Sequence, residues 1–203
     1  MDIKAYSRRQ LMTFTPYDAE IEYLQVESGF PYMDTGIIGN SNLNYEIKFG
    51  YKRLSGSYPY VFGAQQGDRA RRFSLMISSY ANYTLIVNDG ANERNITFSS
   101  GEANNPLIVK KENHDIYING NKKYTFPNSS YTTPVPITMF VCNTPTGIVT
   151  SNNFIGLPFY YIKIGNLHLI PVRKGNEGFL YDKVSGQLFG NEGTGNFILG
   201  PDI

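Results

Sequence analysis

From residue 20 onward the chain alternates apolar and polar positions in short runs, broken by Gly, Asn, Pro and Ser. In LNYEIKFGY, Leu43, Tyr45, Ile47, Phe49 and Tyr51 fall on one face of an extended segment, and Asn44, Glu46 and Lys48 fall on the other. That period of two marks a half-buried strand. Comparable runs occupy 58–64, 72–78, 83–88, 94–99, 106–112, 114–119, 122–126, 136–142, 159–165 and 167–173. Many short strands with turn residues between them predict an all-β, two-sheet antiparallel sandwich.

The turns carry their own chemistry. Asn119-Gly120-Asn121 separates DIYI from KKYTF, and Asn and Gly adopt the positive φ that a tight hairpin requires, so a hairpin is predicted there. Asn88-Asp89-Gly90 and Gly165-Asn166 are weaker versions of the same signal. No window sustains the i, i+3, i+4, i+7 spacing of an amphipathic helix, so at most one short helix is expected, within residues 5–12. Residues 1–19 lack the turn-and-strand rhythm and are expected to form an arm outside a sandwich spanning 20–203. Arg8, Arg9, Leu11, Met12 and Phe14 are its candidate anchoring residues. The arm is either a disordered tail or a segment that orders when it docks on a partner.

Composition narrows the function. Of 203 residues, 18 are Lys or Arg and 17 are Asp or Glu, a net charge of +1. That balance lacks the broad basic footprint of a non-specific nucleic-acid binder, so no nucleic-acid partner is expected. Cys142 is the only cysteine and His114 and His168 the only histidines, which excludes an intrachain disulfide and a Cys/His zinc site. In ITMFVCN, alternation makes Cys142 a packed thiol. The chain has no run of about 20 apolar residues and no apolar core after Arg8-Arg9. A soluble chain with no membrane partner, made in the cytoplasm without a signal peptide, is the expectation.

Catalytic constellations are sparse. Asp18, Glu20 and Glu22 are acids at alternate positions, but their order differs from the Glu-x-Asp-x-Glu strand of β-sandwich glucanases, and they read as a solvated edge. His114 and His168 have no G-x-S-x-G nucleophile to serve. The chain is therefore read as a non-enzyme, with no cofactor and no metal. The surplus lies in 16 Tyr and 13 Phe, with no Trp. A tyrosine outside core alternation can stack on a sugar ring while its hydroxyl bonds sugar hydroxyls. Tyr58, Tyr60, Tyr80, Tyr83 and Tyr131 are the glycan-binding candidates on that ground. Arg69, Arg71 and Arg72 in GDRARRF form the one basic cluster, able to grip an anion or a protein partner.

IEYLQVESGFPYMDTGI (21–37) resembles the opening of concanavalin A-like, LamG-type jelly-roll domains of gut bacteria, their prophages and phages. Tyr23, Leu24, Glu27, Ser28, Gly29, Tyr32, Asp34, Thr35 and Gly36 keep that pattern, and Phe30-Pro31 depart from it. GFLYDKVSGQLFGNEGTGNFILGP is similar to the closing motif, through Tyr181, Asp182, Val184, Ser185, Gly186, Asn191, Gly193, Thr194 and Gly195. The resemblance brackets residues 20–201. It implies a jelly-roll that often binds carbohydrate on a concave sheet or rim loops, and particle-borne members with short arms. The resulting expectation is a virion structural or decoration protein, held to capsid or tail proteins by its arm. It would display a lectin-like domain to host-surface glycans, with self-association open. A bacterial lectin module outside a virion is the alternative, and a glycoside hydrolase the third reading.

Overall fold

The computed structural model describes residues 15–52, 58–67, 71–79, 81–103, 106–149 and 156–203. The five anchoring candidates of the arm, the helix expected within 5–12, Arg69 and Tyr80 lie outside the described residues.

In chain order the strands are β1 (Ala19–Glu20), β2 (Leu24–Val26), β3 (Met33–Asn40), β4 (Tyr45–Phe49), β5 (Tyr60–Gln65), β6 (Arg72–Ile77), β7 (Thr84–Gly90) and β8 (Glu93–Thr97). After α1 (Ser100–Ala103) come β9 (Leu107–Glu112), β10 (Asp115–Ile118), β11 (Asn121–Thr125), β12 (Thr132–Met139), β13 (Cys142–Thr144) and β14 (Gly147–Val149). The last five are β15 (Pro158–Ile164), β16 (Leu167–Lys174), β17 (Glu177–Asp182), β18 (Leu188–Phe189) and β19 (Phe197–Leu199). One sheet runs β11-β10-β9-β4-β15-β16-β17-β18, with β1 on β16, β2 on β15 and β19 on β2. The other runs β14-β13-β5-β6-β7-β8, with β12 joining β5 to β3. Among the described strands the pairings are antiparallel, apart from one parallel bridge between Asn143 and Ala64.

The two sheets pack face to face as a jelly-roll sandwich, because each strand turns its apolar set the same way. Tyr45, Ile47 and Phe49 of β4 meet Phe62 and Ala64 of β5 and Phe73, Leu75 and Ile77 of β6 in one continuous core. Tyr45 sits edge-on to Phe62 and Phe73, with ring centroids 5.0 and 6.0 Å away, a favourable arrangement of aromatic quadrupoles. The β10–β11 hairpin turns at Asn119 and Gly120, with φ of 49° and 81°, the two-residue primed turn that its sequence predicts. The single-turn helix stands at 100–103. It follows a capping box in which the Glu102 amide donates to Ser99 Oγ and Glu102 Oε2 accepts from the Ser99 amide.

The opening and closing motifs lock onto each other. β19 pairs with β2, and the Phe30 amide donates to Thr194 O at 2.7 Å. Gly195 has φ 95°, and a Cβ there would lie 2.0 Å from Ser28 O, so only glycine allows the two segments to approach this closely. Asp182, the acid of the closing motif, accepts from the amides of His168, Val184 and Ser185 and from Ser185 Oγ. Both motifs therefore close the sandwich.

Candidate functional site

Most of the tyrosines singled out by sequence prove to be packing residues. Tyr60 is 4% exposed and Tyr131 8%. A register shift between Tyr60 and Phe62 turns Tyr60 to the outer face of its sheet, where it packs with Met76, Ile86, Cys142 and the half-buried Tyr58. Tyr131 lies over Gly90, where a Cβ would come within 2.2 Å of its ring, and its hydroxyl donates to Arg71 O at 2.8 Å. Tyr83, at 37% exposure, does reach solvent. It does so alone, leaning on Tyr51 and Phe98 with centroids 6.2 and 6.1 Å away. Of the four described, Tyr60 and Tyr131 are buried, Tyr58 is half-buried and Tyr83 is exposed.

Arg72 leaves its expected role on the surface. Its Nε donates to Asn88 Oδ1 at 3.1 Å, its Nη1 to Tyr60 Oη at 3.3 Å, and its Nη2 pairs with Glu93. Asn88 passes the network on to Ser74 Oγ at 3.1 Å. Beside it Cys142 is buried, and burial pushes its thiol up to about 12, so it is the packed thiol its alternation predicts. Of Asp18, Glu20 and Glu22, only Glu20 lies on β1, which is two residues long. Asp18 accepts from the Gly175 amide, and Glu20 takes Tyr17 Oη and Lys183. His168 sits on β16, where burial and then Lys163 and Lys183 lower its pKa.

A cleft of about 490 Å³ opens where the β16–β17 turn meets the segments flanking β2 and β19. Its lining includes Glu27 after β2, Asn176 and Glu177 at the β16–β17 turn, Phe179 on β17, and Asn191 and Asn196 around β19. Phe179 is half-buried and sits between Gly178 and Leu180, which point into the sandwich. Gly190 leaves room for its ring, since a Cβ there would lie 3.3 Å from Phe179. Asn191 braces the wall: its Oδ1 accepts from the Tyr32 and Gly193 amides, and its Nδ2 donates to Gly195 O. The side chains of Glu27, Asn176, Glu177 and Asn196 make no hydrogen bond or ion pair among the described residues and face solvent. Two carboxylates, two amides and a ring of this kind suit vicinal hydroxyls on one side and an apolar sugar face on the other. The cleft lies within the usual size range of ligand pockets.

Sequence reading missed this cleft because its members stand some 170 positions apart; Glu27 and Asn196 become neighbours through the bond from the Glu27 amide to Asn196 O. Among the described residues no group of three or more His, Cys, Asp or Glu could hold a metal, and no helix is long and apolar enough to cross a membrane. No protein-family model matches the chain, and no curated protein matches it.

Proposed function

We propose that this chain is a non-enzymatic glycan-binding jelly-roll domain displayed on a phage particle, held there by residues 1–19, with the rim cleft receiving a sugar of the host surface. The observation that carries the glycan reading is the set of four unengaged polar side chains, Glu27, Asn176, Glu177 and Asn196, grouped around the half-buried Phe179. The cleft lining holds two carboxylates and no Lys, Arg or His. Its field disfavours sulfated and uronic sugars, so the reading specifies a neutral or amino sugar. Display on a particle rests on the resemblance of residues 20–201 to LamG-type domains and on the separate character of the arm.

A glycan array with the intact chain is the direct test. Binding to neutral or amino sugars that is lost in Glu177→Gln/Asn196→Ala supports the cleft, and unchanged binding by that variant removes it. Mass spectrometry of purified particles tests the setting: presence at many copies, abolished by deleting 1–14, which leaves Asp18 and β1 in place, supports display. Sugar binding by a chain absent from particles leaves a bacterial lectin module. Release of reducing ends from polysaccharides by the parent, lost on Glu27→Gln or Glu177→Gln, would overturn the non-enzymatic reading.

A further inference from the structure

The interior of the sandwich contains a lysine. Lys111 follows Leu107 and Val109 on the inward face of β9, opposite Tyr45 of β4, and is completely buried. Its Nζ donates to three backbone carbonyls: Ser41 O at 2.7 Å, Leu43 O at 3.3 Å and Asn113 O at 2.5 Å. An ammonium has three protons and no lone pair, so donors and acceptors match one for one.

The residues that carry these carbonyls are also fastened by bonds of their own amides. The Ser41 amide donates to Tyr131 O at 3.1 Å, the Leu43 amide to Asn40 O at 3.0 Å, and the Asn113 amide to Asn44 Oδ1 at 2.7 Å. Across the core, Asp89 of β7 is also completely buried, and its Oδ2 has no hydrogen-bond partner. Asp89 and Lys111 interact electrostatically but do not form an ion pair within 4 Å. A rigid ring of carbonyl dipoles backed by a carboxylate at longer range is how proteins replace the hydration shell of a bare cation.

We propose that Ser41 O, Leu43 O and Asn113 O form a preorganised monovalent-cation site that Lys111 fills from within. A free cation of the ammonium or potassium class would then enter once the side chain is removed. The site ties the turn after β3 to the turn after β9 and closes that end of the sandwich.

Two measurements test this. In the parent at neutral pH, one lysine ammonium should give a protected ¹H–¹⁵N signal in heteronuclear NMR, absent from Lys111→Met; a parent with no such signal overturns the proposal. Melting is then compared in choline, potassium and ammonium chloride at equal ionic strength. The parent should be indifferent to the cation. Lys111→Ala should fall on the order of 10 °C in choline and regain at least half of that in ammonium or potassium. Lys111→Met, whose stem still fills the site, should fall without recovery. A Lys111→Ala chain that is equally unstable, or equally unfolded, in all three salts overturns the free-cation site.

Discussion

The two ends of the sandwich treat polar groups in opposite ways. Register puts Tyr45, Lys111 and Ile164 at one end, and Phe49, Pro158 and the turn before Glu177 at the other. At the first end a full charge is buried, and each of its protons is matched to a carbonyl. At the second, carboxylates and amides stand in solvent around Phe179 with nothing to bond. A satisfied buried group specifies structure, whereas an unengaged exposed group, held by strands on either side, is free to meet a ligand. Chemical type alone does not separate the two, since lysine is usually exposed and asparagine often braces turns.

Substitutions at the two ends should therefore have separable effects. The largest is expected for Lys111→Met, about 3–5 kcal/mol of stability in urea denaturation, because three buried carbonyls lose their donor and Asp89 its longer-range counter-charge; sugar binding by the folded fraction should be unchanged. Gly195→Ala is expected to cost about 3 kcal/mol or more, through a positive φ and a clash with Ser28 O. Unlike Lys111→Met it should also abolish sugar binding, since it unseats the cleft wall. Glu177→Gln should weaken sugar binding about tenfold, or about 1.4 kcal/mol, while stability stays within about 0.5 kcal/mol. A Glu177→Gln chain that unfolds, or a Lys111→Met chain that folds but loses the sugar, would break the contrast.

Two smaller effects sharpen it. Burial alone would raise the Asp182 carboxyl, but bonds from Ser185 Oγ and the amides of His168, Ser185 and Val184 outweigh it and hold the group below the ordinary aspartate value. A depressed native pKa stabilises the fold above the unfolded aspartate pKa, and the contribution is lost as pH falls through the native one. Parent stability should thus decline in acid below the usual aspartate range, with a flatter slope for Asp182→Asn. Cys142, its thiol raised to about 12, should react with iodoacetamide at neutral pH only at the rate of global opening, as followed by intact mass.

Much of the architecture was legible in local pattern. Alternation in LNYEIKF and the Asn119-Gly120 turn specify β4 and the β10–β11 hairpin, because period and turn chemistry are properties of adjacent residues. Lys111 was not singled out: PLIVKKE reads as a strand, but its adjacent Lys110 and Lys111 look alike as polar residues, and only the packing of β9 against the other sheet buries the second. Tyr60 escaped because a bulge in β5 changes which face it occupies, and no residue of YPYVFGA announces that slip. Tyr131 escaped because the glycine beneath its ring is 41 positions away in the chain. The cleft was beyond reach for the same reason on a larger scale, since its walls meet only when β19 finds β2.

Arg173 has a mechanical consequence. Its guanidinium holds Asp202 at 2.7 and 2.6 Å and lies 3.9 Å from Asp18, and Ile21 bridges to Asp202. The segment entering the sandwich and the segment leaving it are thus clasped at one corner. Tension applied through residue 15 loads this clasp and the short β1–β16 ladder first, and these peel one bond at a time. The Lys111 end lies at the opposite end of the sheet, beyond the start of β16 at Leu167 and across β15 and β4, and is loaded only after the corner has opened. A chain hung by its first residues would yield at its fastening while the body of the fold stays intact.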